Sequence, residues 1–269
     1  MTDSERASFR LAATEAALVE RLLRQDRLVV ATSIGAVVAL CMAYLVYGPS
    51  MPAMDGMPDM AMPMGFDRAS FLWLAPMWIA MMVGMMLPSA SPMLLLFARL
   101  QRVSYPAKNP ANEILLFAAG YVLVWVGFSL AAAFLQAFFS GQAWLNDDMR
   151  LQSRGAQAAL LVVAALFEIS PLKAACLDGC RSPAQFLADH RHPHRLGTLR
   201  TGAEHGLFCI GCCAALMALL FVGGVMNPLM IGGLAIVVLA QKIAPASWQT
   251  ERAMALALVA MAAVVYFWR

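Results

Sequence analysis

Charge is scarce in this sequence: Asp, Glu, Lys and Arg make up 13% of its 269 residues, against about 25% in an ordinary soluble domain. What charge there is has been cleared from long runs. Residues 28–47, 69–98, 114–139 and 206–240 contain none, and about 20 apolar residues suffice to cross a bilayer. An ordinary soluble enzyme is excluded, and the 61% hydrophobic content excludes a disordered chain. A net charge of +3 is too small to argue for nucleic acid as a partner. No ATP-binding motif, clean internal repeat or separate soluble domain is present, and no set of catalytic residues stands out. A cleavable signal is missing too. Residues 1–27 interleave Arg6, Arg10, Arg21, Arg24 and Arg27 with acids and set Leu11, Leu18, Val19, Leu22 and Leu23 at helical spacing. This reads as an amphipathic helix on the cytoplasmic membrane surface.

The remainder, 28–269, reads as one all-α transmembrane bundle. Seven spans are expected, at about 28–47, 70–97, 114–139, 156–174, 206–225, 228–241 and 253–268. With the N-terminus in the cytoplasm, 15 Lys and Arg fall inside, Lys173, Arg181, Lys242 and Arg252 among them. The four outside are Arg68, Arg150, Arg154 and Arg269. The positive-inside rule favours this orientation. It places loop 48–68 outside and the connection between spans four and five inside.

Sulfur is what the chain has in excess, with 20 Met and 6 Cys. Met51, Met54, Met57, Met60, Met62 and Met64 fall within fourteen residues of the outer loop, among Pro, Gly and Asp that prevent a helix. Thioethers are soft, neutral donors that select Cu(I), and packing gives an external loop little reason to choose Met six times. Met77, Met81 and Met85 continue the bias at i, i+4 along span two, with Met82, Met86 and Met93 widening the face. They offer either a metal pathway or ordinary bundle packing.

Cys41 stands alone in span one. The other cysteines form two groups, Cys176 with Cys180 and Cys209 with Cys212 and Cys213, both on the reducing cytoplasmic side where structural disulfides are not expected. At about 100° per residue, His205, Cys209, Cys212 and Cys213 share one helical arc, with Met217 beside it. Such a set near the cytoplasmic mouth of span five suits a trigonal or tetrahedral soft metal. Cu(I) is the leading ion and Zn(II) the alternative. Glu168 is the one acid well inside an expected span. It pairs with Lys173 or His205, or sits at a wet helix end broken by Pro171. His190, His192 and His194 read mainly as a solvated loop.

The runs Met77-Trp-Ile-Ala-Met-Met-Val-Gly-Met-Met-Leu-Pro-Ser-Ala90, Pro171-Leu-Lys-Ala-Ala-Cys-Leu-Asp-Gly-Cys-Arg-Ser-Pro183 and His205-Gly-Leu-Phe-Cys-Ile-Gly-Cys-Cys-Ala-Ala-Leu-Met217, with Gly-Gly-Val-Met-Asn227 following, resemble a bacterial family of metal-binding integral membrane proteins, domain of unknown function 2182. The resemblance covers about residues 70–245. It implies that Lys173, Cys176, Cys180, Arg181, His205, Cys209, Cys212, Cys213, Met217, Met226 and Asn227 belong to a signature, and that the protein resides in the inner membrane. Ala214 stands where the family commonly has Trp, and Gln241 where an acid is frequent, which weakens a proton-coupled mechanism. The expected function is copper handling, whether transport, delivery or storage, in contact with the lipid bilayer and with a copper chaperone, a cuproprotein or a larger membrane complex. A thiol–disulfide oxidoreductase and a metal-binding assembly subunit are the alternatives.

Overall fold

The computed structural model describes residues 68–104, 110–146, 149–190, 192, 194–244 and 248–267, together with Thr32, Gly35, Ala36, Val38, Ala39, Met42 and Ala43, which are helical. The helix expected over 1–27, Cys41 and the six loop methionines from Met51 to Met64 lie outside the described residues. The named elements are all helices: α1 (Arg68–Ser89), α2 (Ser91–Ser104), α3 (Pro110–Gly141), α4 (Arg154–Glu168), α5 (Pro171–Arg181), α6 (Pro183–His190), α7 (Arg195–Ala218), α8 (Leu220–Gly223), α9 (Pro228–Ile243) and α10 (Trp248–Phe267).

Seven spans were expected; among the described residues four helices are long and apolar enough to cross a membrane. A fifth is obtained if α4 and α5, bent by 63° from one another, count as one. The reason for that bend is local. Pro171 has no N–H to give the preceding turn, and Ser170 caps a new helix by accepting from the Lys173 N–H at 3.2 Å. Asn227 and Pro228 start α9 in the same way, the Asn227 side chain accepting from the Leu229 N–H at 3.0 Å. At 16 residues, α9 is about 24 Å long, short of a hydrocarbon core of about 30 Å. The span expected over 70–97 is likewise two helices, breaking at Ala90 between Pro88 and Pro92. Each proline withholds one N–H from the ladder, though Ala90 still donates to the Met86 carbonyl at 3.2 Å.

The tightest junction is the crossing of α3 and α7, where glycines let the backbones touch. A Cβ on Gly202 would stand 2.0 Å from the Phe117 carbonyl oxygen, and one on Gly120 would stand 2.0 Å from that of Leu199. Gly206, four residues beyond Gly202, lies under Val124 and the Tyr121 carbonyl. Small residues at spacing four allow helices to approach this closely. Against the other side of α3 packs α1, held by Trp78 donating to Gln136 Oε1 at 2.6 Å and Ser129 donating to the Trp78 carbonyl at 3.2 Å. Met77, Met81, Met82, Met85, Met86 and Met93 are all buried in this interior. α10 packs on α4, and α5 on α7.

Candidate metal centre

Cys209, Cys212 and Cys213 come from successive turns of α7, and their sulfurs all lie within 4.8 Å of one another. A metal–thiolate bond of about 2.3 Å puts trigonal ligands about 4 Å apart, so three thiols reach one ion with sub-ångström adjustment. All three residues are free and buried. The Cys212 and Cys213 thiols donate to the Cys209 carbonyl at 3.1 and 2.8 Å. Cys209 follows Arg195, the first residue of α7, by fourteen positions. At 1.5 Å per residue that is about 21 Å along the axis. The cluster therefore sits well along α7, inside the helical bundle.

Other helices supply the surroundings. Lys242, near the end of α9, is buried and places its ammonium 2.9 Å from Cys209 Sγ and 2.8 Å from Ser89 Oγ. The Tyr121 hydroxyl of α3 donates to the Met86 carbonyl at 3.0 Å and lies 3.2 Å from Cys209 Sγ. Met86 Sδ is 4.0 Å from Cys213 Sγ. The α3–α7 crossing accounts for Tyr121 meeting Cys209, because Gly206 lets the backbone of Tyr121 lie directly against α7.

The remaining expected residues are distributed around this core. Cys180 of α5 comes within 4.0 Å of Cys212, sulfur to sulfur, as a fourth thiol at the edge. Cys176, one turn earlier, rests its sulfur on Gly211, where a Cβ would be only 2.5 Å away. His205 stands outside the three-thiol group, stacked on Tyr121 at a centroid distance of 5.7 Å with a buried Nδ1 that has no hydrogen-bond partner. Met217 is buried one turn beyond Cys213. Met77, Met81 and Met85 lie in the α1 wall.

Glu168 and Lys173, both buried, form an ion pair across the α4–α5 break. Gln241 closes it into a ring, its carbonyl accepting from Lys173 at 3.0 Å and its amide donating to Glu168 at 2.9 Å. Arg181 adds a bond from Nε to the Gln241 backbone carbonyl at 2.8 Å and lies 3.7 Å from Glu251. The three histidines of 190–194 do not converge: His190 stacks on Phe186 and His192 meets Glu204 at 3.1 Å.

Tyr121, Ser89, Gln241 and Lys242 were not among the expected site residues. Lys242 and Lys173 had been counted as cytoplasmic charges. The one available signal was a lysine ending an apolar run, where an ammonium needs an anionic or polar partner.

No curated protein and no solved structure matches the chain. A family model described as PpoB2, copper chaperone, matches residues 75–265. That stretch takes in α1 beyond its first two turns, the whole thiol cluster, Tyr121 and Lys242. Spanning well over half the sequence, the match shows that the chain belongs to the PpoB2 copper chaperone family.

Proposed function

We propose that this protein is an integral membrane copper carrier that holds Cu(I) at Cys209, Cys212 and Cys213 and hands it to a recipient. The observation that carries the reading is the buried three-thiol cluster with one ammonium against it. Thiolate sulfur is the donor that soft Cu(I) prefers. Cu(I) with two thiolates has a net charge of −1, which Lys242 offsets, and Met86 stands near Cys213 as a neutral sulfur donor. His205, with its free Nδ1, is the imidazole nearest in sequence to the cluster. Membrane residence is supported by the four or five apolar helices. Burial of all three thiols argues against disulfide exchange, which needs access to an attacking thiolate.

The test is copper stoichiometry and K-edge spectroscopy on anaerobically purified protein and on the triple variant C209S/C212S/C213S. Serine is a harder ligand that is poorly deprotonated, so sulfur-coordinated Cu(I) in the wild type should be sharply weakened in the variant while helicity is kept. Unchanged stoichiometry and affinity in the variant would remove the cluster from the proposal.

A further inference from the structure

A cavity of about 430 Å³ lies between α1, α9 and the helical segment containing Met42. Three thioethers line it from three parts of the chain: Met42, Met85 of α1, and Met226 in the turn before α9. Met85 is buried and Met226 is 53% exposed, giving one donor fixed in the wall and one toward the opening. Ser89 is the single polar side chain among the described residues of the lining. Its hydroxyl accepts from Lys242, and the same ammonium contacts Cys209 Sγ. One Ser89–Lys242 contact therefore separates this cavity from the thiol cluster.

Resting on the Cu(I) reading of the cluster, we infer that the cavity is a second metal site, a thioether station at which Met42, Met85 and Met226 hold Cu(I) before it passes to Cys209. An apolar lining, with no carboxylate among its described residues, gives a hard, strongly hydrated cation little in return for its water. Neutral thioethers bind a soft monovalent ion without deprotonation. The anionic thiolates bind it more tightly, so movement from cavity to cluster runs downhill. Copper remains Cu(I) throughout. Its bonds to methionine sulfur break as bonds to cysteine sulfur form, and each thiol that becomes a ligand releases one proton to solvent.

The experiment supplies Cu(I) from a chelator to the full-length protein without oxygen and follows thiolate-to-copper absorption with time. M42L/M85L/M226L, nearly volume-conserving, should reach wild-type stoichiometry but load at least tenfold more slowly when copper is limiting. M226L alone, at an exposed position where folding is not at issue, should slow loading in the same direction. In C209S/C212S/C213S, K-edge spectroscopy should show residual Cu(I) with thioether sulfur, and its amount should drop when the three Leu substitutions are added, the drop being the cavity's share beside any held by the loop methionines. Wild-type loading rates in both Met variants, or residual copper undiminished by the three Leu substitutions, would overturn the thioether station while leaving the thiol cluster in place. Absence of Cu(I) from the wild-type cluster would overturn both readings.

Discussion

Replacing Lys242 by Met separates two effects that the lysine combines, since Met fills most of the stem volume and removes the charge. With Nζ 2.9 Å from Cys209 Sγ, attraction between ammonium and thiolate amounts to about 5–6 kcal/mol at an effective dielectric of 20. Desolvation of the lysine offsets part of this, and removing one partner of a buried pair typically costs about 3–5 kcal/mol. Taking the lower figure, K242M should weaken Cu(I) binding roughly 100-fold, at about 1.4 kcal/mol per factor of ten. In the metal-free protein the same ammonium contacts Cys209 Sγ and donates to Ser89 Oγ, so K242M forfeits those contacts there as well and the melting temperature should fall. Anaerobic competition against a coloured Cu(I) chelator gives the affinity, and thermal unfolding of metal-free protein gives the melting temperature. K242R, which keeps the charge, should bind more tightly than K242M. An affinity for K242M within threefold of wild type would refute the role given to this charge.

G202A drives a Cβ to 2.0 Å from a backbone oxygen, so α3 and α7 must part; a loss of about 1–3 kcal/mol is expected as a lowered melting temperature, with Cys209 becoming more reactive to thiol reagents. E168Q leaves Lys173 buried without its anion and should cost about 3–5 kcal/mol, measured by denaturation. E168Q/Q241E, which returns one carboxylate to the same ring, should recover part of that loss. Changing Met51, Met54, Met57, Met60, Met62 and Met64 to Leu should depress copper accumulation in cells at limiting external copper and be rescued by excess, because capture follows mass action; coincident dose curves would leave the loop without a role.

The thiol cluster was legible because its geometry is a property of one helix: Cys209, Cys212 and Cys213 at i, i+3 and i+4 must share a face whatever surrounds them. Tyr121, Ser89 and Lys242 come from three other helices, and nothing local in their neighbourhoods states which helix each will meet. The charge tally places Lys173 and Lys242 by sequence position alone and carries no sign of the buried partners that each of them meets. Glu168 was better placed for inference, with Lys173 five residues on and Pro171 between them to turn the chain back. Of the seven expected spans, four or five are found among the described residues, where Ser-Pro and Asn-Pro steps divide apolar runs into shorter helices.

The glycine crossing of α3 and α7 also decides which parts of the centre have freedom to move. With backbone against backbone at Gly120 and Gly202, these two helices form one closely packed wall carrying Tyr121 and the three principal thiols. Lys242 and Cys180 are borne by α9 and α5, helices that begin afresh at capped prolines and meet α7 through side chains. On the proposed carrier reading, displacing either of them would strip the cluster of its counter-charge or of its fourth sulfur while leaving the crossed pair in place.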